Sequence, residues 1–148
     1  MADLSPSGAA FSELLIGAFR LNGLALAAGD RLTAPAGLTS ARWQVMGAIE
    51  EGGTTVPDIA RTMGLTRQSV RETAEALARA GLVTYVENPR HRTAKLLQVT
   101  ATGRRALRAV ERRHAVWASR LGAHFPTAAL RVAIAELRRA CTLLEADE

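Results

Sequence analysis

Apolar residues return every three or four positions along most of this chain, and one short stretch switches to a period of two. Between Phe11 and Ala28 the apolar positions Phe11, Leu14, Leu15, Ala18, Leu21 and Ala25 form one broad helical face. The segment Gly29 to Gly37 is expected to break that helix. Thr39 is expected to cap a second helix, striped by the Arg42 stem, Val45, Met46 and Ile49 and ending at Gly52-Gly53. Thr55, Pro57 and Asp58 then open a third, with proline tolerated in the first turn and the carboxylate favourable at the positive helix end. From there to Leu77 the apolar positions are Ile59, Ala60, Met63, Leu65, Val70 and Leu77, with Gly64 between two helical runs. Small Ala60 lets those runs approach, and Gly64 supplies a left-handed backbone state that costs other residues about 1 kcal/mol or more. Gly81 reads as a left-handed cap closing the second run, with Leu82 folding back as its hydrophobic contact.

The period then shortens. Leu82 to Glu87 reads as a strand with Val83 and Tyr85 on one face and Thr84 and Val86 on the other. Asn88-Pro89 opens a turn and Lys95 to Val99 returns. Thr100 caps a long helix striped by Leu107, Val110, His114, Trp117 and Leu121, and Pro126 begins a last one striped by Leu130, Ile134, Leu137, Cys141 and Leu144.

Polar residues give this framework its chemistry. Thr66 is the expected N-cap of the second short helix, and Arg67, Gln68, Ser69 and Arg71 project near its start. A helix pair headed this way suits a DNA major groove, where arginine pairs with guanine and glutamine with adenine. The hairpin tip carries Arg90, His91, Arg92 and Lys95, with no acidic residue between Asn88 and Val99. Packing explains such a tip poorly and a polyanion explains it well. Arg92, with Arg90 close by, is expected at the minor groove, and Lys95 at phosphate.

These residues resemble the MarR family of winged-helix transcriptional regulators. Leu38-Thr39 with Trp43 and Val45-Met46, the run from Val56 through Val83, and Asn88-Pro89-Arg90-His91-Arg92 followed by Val99-Thr100 and Gly103 carry the likeness, over roughly half the chain. One position departs: His91 stands where many members have an aspartate that helps orient the wing arginine. The resemblance implies a mostly α fold with a small β-hairpin wing, a winged helix-turn-helix DNA-binding lobe plus a terminal-helix dimerisation layer. A single domain over 1–148 is expected, with the lobe at about 38–100 and the dimerisation helices at about 8–30 and 101–146. The terminal stripes exceed what a small winged lobe needs and point to a two-fold homodimer on a pseudo-palindromic site of double-stranded DNA. The family also implies release by a small aromatic or anionic effector, for which Arg20, Arg42, Trp43, His114 and Trp117 are the candidate contacts. For each of these, core packing or a structural hydrogen bond is the competing account.

Composition narrows the alternatives. The 148 residues carry a formal net charge of +5, and a pI near 10.9 favours an anionic partner. Of 19 basic residues only Lys95 is lysine, so 18 are arginine, which suits bidentate phosphate and guanine contacts or a GC-rich coding genome equally. The lone Cys141 excludes an internal disulfide, and its place on an apolar stripe predicts burial rather than redox sensing. No secretory signal and no apolar run of membrane-spanning length is expected, which makes the cytoplasm the simplest location. Three histidines without ligand spacing, and no phosphate-cradling glycine motif, leave no catalytic residue, metal site or cofactor expected. Two non-enzymatic alternatives stay open: a winged helix serving protein interaction, and a nucleoid-type binder indifferent to sequence.

Overall fold

The computed structural model describes residues 3–49 and 51–147. Six α-helices and one hairpin are described: α1 (Pro6–Thr33), α2 (Ser40–Gly47), α3 (Val56–Met63), α4 (Arg67–Arg79), β1 (Val83–Val86), β2 (Leu96–Val99), α5 (Ala101–Gly122) and α6 (Thr127–Ala146). They fall into two compact units that divide within α5, one ending at Val110 and the other starting at Glu111.

In the first unit α1 runs further than its apolar stripe indicates. Ser5 caps it, accepting from the Gly8 N–H at 3.1 Å, and Pro6 occupies the first turn. The expected break at Gly29 is not there. The helix continues to Thr33, and a single 3-10 turn over Ala34–Ala36 follows. Gly29 is a packing glycine instead, since a Cβ there would collide with the Ser40 hydroxyl. Ser40 ties the two helices together: its N–H donates to Asp30 Oδ1 at 2.8 Å and its hydroxyl to the Leu26 carbonyl at 2.6 Å. The fully buried Thr33 hydroxyl lies 2.8 Å from the Gly29 carbonyl and 3.1 Å from that of Leu38.

Thr39 caps α2 as expected, accepting from Arg42 N–H at 3.2 Å, but the helix stops at Gly47, well short of Gly52-Gly53. Thr54 exchanges backbone hydrogen bonds with Leu97, donating at 3.2 Å and accepting at 2.8 Å, which adds an unexpected third edge to the hairpin. At α3, the Thr55 hydroxyl donates to Asp58 Oδ2 at 2.7 Å and accepts from the Asp58 N–H at 3.3 Å. Gly64 (φ 63°) and Gly81 (φ 72°) close α3 and α4 in the left-handed conformation. At each, the next residue's N–H reaches back to the last turn, Leu65 to Ala60 at 2.9 Å and Leu82 to Leu77 at 3.0 Å.

The core of this unit joins Val45 and Met46 of α2, Ile59 and Ala60 of α3, Val70, Ala74 and Leu77 of α4, and Val83 and Leu97 of the hairpin. Val110 of α5 completes it. Antiparallel pairing sets Val83 opposite Val99 and Tyr85 opposite Leu97; of the two residues predicted to share a face, Val83 is buried in the core and Tyr85 is exposed at the margin.

The terminal helices are different. Phe11, Leu14 and Leu21 on the expected α1 stripe are exposed, and so are Ile16 and Phe19 at 68% and 75%. Within the second unit Ile134, Leu137 and Leu144 of α6 are exposed as well. Cys141 is exposed, contrary to the expectation of burial, as are Leu137 and Leu144 of the same stripe. A second expectation also needs correction. Pro6–Ala36 contains an 18-residue window of mean hydropathy 1.3, none of it buried, so by length and composition this one helical segment is apolar enough to cross a membrane.

Candidate nucleic-acid interface

The outward face of α4 follows from its inward one. Val70, Ala74 and Leu77 are fully buried, and helical geometry then leaves Arg67, Gln68, Ser69 and Arg71 exposed near the N-terminus. Thr66 caps the helix, its hydroxyl accepting from the Ser69 N–H at 3.1 Å. Two of the candidate side chains are held on the helix itself. Gln68 Nε2 donates to Glu72 Oε1 at 2.9 Å and the Ser69 hydroxyl donates to the Thr66 carbonyl at 3.2 Å. Such exposed bonds are cheap to exchange for others.

The hairpin tip is built by local turn chemistry. Asn88 accepts twice, at Oδ1 from the Arg90 N–H (3.0 Å) and at its carbonyl from the His91 N–H (3.2 Å). His91 Nδ1 lies 3.2 Å from the Thr93 hydroxyl. His91 therefore organises the tip through Thr93 and does not hold Arg92 as a carboxylate would. Arg67, Arg71, Arg90 and Arg92 are all exposed, and among the described residues none has a carboxylate within 4.0 Å. Lys95 stands 4.0 Å from Glu87 with both side chains largely exposed, a pair of little energetic weight.

Arg71 is separated from its neighbours on α4 by position. It lies with Glu75 along a groove of about 440 Å³ between α4, the start of α3 (Val56, Pro57) and the hairpin residues Tyr85, Thr93, Ala94 and Lys95. Burial pushes the Tyr85 phenol above its usual pKa of 10.0, the Glu75 carboxylate adds to this, and Arg71 opposes it. Neither Tyr85 nor Thr93 was among the sequence candidates. The alternation placed Tyr85 on one face with Val83, but nothing in it signalled that Arg71 and Glu75 of α4 would line a groove with this exposed ring.

The effector candidates fall in both units, Arg20, Arg42 and Trp43 in the first and His114 and Trp117 in the second. Trp43 packs half-buried against the core of the first unit. In the second unit the rings of His114 and Trp117 lie 5.8 Å apart at 37°. A cavity of about 510 Å³ in the first unit is lined by Leu26, Asp30, Ala34, Leu38, Thr39, Ser40 and Ala41, and by none of Arg20, Arg42 and Trp43.

A helix pair with a capped, cation-headed second member, followed by a basic hairpin, defines a winged helix-turn-helix DNA-binding protein. The model of the MarR family matches residues 36–92. The uncharacterised protein Rv2011c of Mycobacterium tuberculosis is 38% identical over 136 residues, covering 92% of this chain and 95% of that protein. Among solved structures, the M. tuberculosis regulator MosR in complex with DNA superposes with a TM-score of 0.71 at 25% identity, over 88% of this chain and 96% of that one. CouR from Rhodococcus jostii RHA1, solved bound to p-coumaroyl-CoA, gives 0.74 at 25% identity over 80% and 85%. The chain belongs to the MarR family, whose members are transcription regulators and not enzymes.

Proposed function

We propose that this protein is a sequence-specific transcriptional regulator, a repressor that binds a pseudo-palindromic operator in double-stranded DNA as a homodimer in the cytoplasm. The observation that carries the reading is the set of exposed arginines on α4 and the hairpin, Arg67, Arg71, Arg90 and Arg92, which among the described residues have no carboxylate within 4.0 Å, beside Gln68. Leaving four cations unneutralised on one small lobe costs little in water and gains much against phosphate. A protein-interaction surface would carry apolar residues at these positions.

Dimerisation is supported by the apolar residues that α1 and α6 leave in water, Phe11, Phe19, Ile134 and Leu137 among them. Burying them against a second copy is worth about 25 cal/mol per Å². It would also set two copies of α4 on successive turns of one duplex. A membrane is the other medium in which α1 could hide. The polar and charged residues Glu13, Arg20 and Asn22 within its length favour a protein partner.

Release by a small aromatic or anionic effector completes the proposal, with Arg20, Arg42, Trp43, His114 and Trp117 as candidate contacts. The p-coumaroyl-CoA bound to CouR supports a ligand-responsive reading.

Selection of bound duplexes from a random pool tests the function, and sedimentation of the same preparation tests the assembly. An inverted repeat bound by a two-copy species is expected. Equal binding of all duplexes would favour the nucleoid-type alternative, and a single-copy species would overturn the dimer.

A further inference from the structure

We propose that the groove between α4 and the hairpin seats one phosphodiester of the bound duplex, held by Arg71, Lys95 and the Tyr85 hydroxyl, so that Arg71 positions the protein on the backbone and does not read a base. This rests on the DNA-binding reading above and assigns the chemistry of one part of that surface. Placement is the first argument. With the N-terminus of α4 in a major groove and the hairpin tip at the neighbouring minor groove, the strand between those grooves must pass over the cleft separating the two elements. Arg71 lines that cleft together with Pro57, Glu75, Tyr85, Thr93 and Lys95.

Charge is the second argument. Two cations, Arg71 and Lys95, face one carboxylate, Glu75, which leaves one net positive charge to meet one phosphodiester. Glu87 competes for Lys95 only at 4.0 Å and from an exposed position. Tyr85 contributes a donor that stays neutral. Burial and the Glu75 carboxylate both resist formation of the phenolate, so the hydroxyl keeps its proton for a phosphate oxygen. Hydrogen bonds to a charged acceptor of this kind are the stronger class.

Phosphate contacts fix register and carry no direct sequence information, whereas base contacts discriminate. The consequences can be separated by experiment. Duplexes from the random-pool selection, and a panel with single base changes in each half-site, are titrated with the unaltered protein, Arg71→Ala and Tyr85→Phe. Arg71→Ala should weaken every duplex by the same factor and flatten the slope of log affinity against log salt by about 0.9 for each phosphate it no longer neutralises. Tyr85→Phe, which keeps the ring, should weaken all of them by about tenfold. A second arm replaces backbone phosphates one at a time with neutral methylphosphonates. One position per half-site should cost the unaltered protein affinity and cost Tyr85→Phe and Lys95→Gln markedly less, which also identifies the anion as the duplex's own. Weakening confined to particular half-site bases in Arg71→Ala, or equal methylphosphonate penalties in all proteins, overturns the assignment while leaving DNA binding intact. Failure of the unaltered protein to bind any duplex would remove the functional reading and this groove's role together.

Discussion

Replacing Gly103 by alanine should destabilise the protein, although alanine is the better helix former. Gly103 lies in the first turn of α5, and its N–H donates to the capping Thr100 hydroxyl at 3.0 Å. A Cβ built on it runs into the Leu82 carbonyl oxygen on one side and falls 2.8 Å from Val99 Cγ1 on the other. Both neighbours are fixed. The Leu82 carbonyl already accepts from the Thr100 N–H at 3.0 Å, and Val99 is paired with Val83 in the hairpin. Helix propensity favours alanine by about 1 kcal/mol at most. Overpacking against rigid neighbours costs about 1–3 kcal/mol, and backbone contact puts this site at the upper end. The clash wins, for a net loss of about 1–2 kcal/mol. Gly47→Ala is the matched control, because the last residue of α2 has nothing within 4 Å of its Cβ position. There the propensity term acts alone and a gain of up to about 1 kcal/mol is expected. Urea unfolding at fixed protein concentration reads both, as midpoint shifts of opposite sign at constant slope. A Gly103→Ala protein as stable as its parent would refute the close approach of α5 to the hairpin mouth.

Other expectations are simpler. Arg92→Ala should weaken binding to every duplex with a shallower salt dependence, the slope falling by about 0.9 for each phosphate left without its cation. An unchanged slope and affinity would take the hairpin tip out of the interface. Thr66→Ala removes the hydroxyl that accepts from Ser69 and should cost about 1 kcal/mol of stability; weaker DNA binding at unchanged stability would give Thr66 a direct role at the DNA instead. Tyr85 is the only tyrosine, so phenolate absorbance follows it alone. Its midpoint should lie above 10.0 because burial raises it. With the folded value raised, this group's contribution to stability is present below the unfolded pKa and is lost as pH rises through the folded one. A midpoint at or below 10.0 in the folded protein would contradict the partial desolvation of the ring beside Glu75.

Some elements were legible because their signals are local. Thr39, Thr55, Thr66 and Thr100 each cap the helix they precede, since a cap depends on a hydroxyl and the next three residues. Gly64 and Gly81 close helices because a positive φ is cheap only for glycine. Gly29 and Gly52-Gly53 mislead for the same reason. A glycine that breaks a helix and one that lets another segment touch it look alike until the other segment is in place. That Arg71 lines a groove with Tyr85 and Lys95 was not legible, because it depends on which neighbours α3 and the hairpin bring to α4.

By itself, then, the amino-acid order determined the starts of α2 to α6, the change of period at the hairpin and the basic tip, because each is decided by residues a few positions apart. Tertiary structure alone decided that Ser40 fills the space beside Gly29, that Thr54 pairs with Leu97, and that Tyr85, Arg71 and Lys95 share one groove. Ser40 and Gly29 are 11 positions apart in the chain, and Thr54 and Leu97 are 43 apart. No periodicity specifies such distant pairs, and only the packing of α1 on α2 and of α2, α3 and α4 around one core brings them within reach.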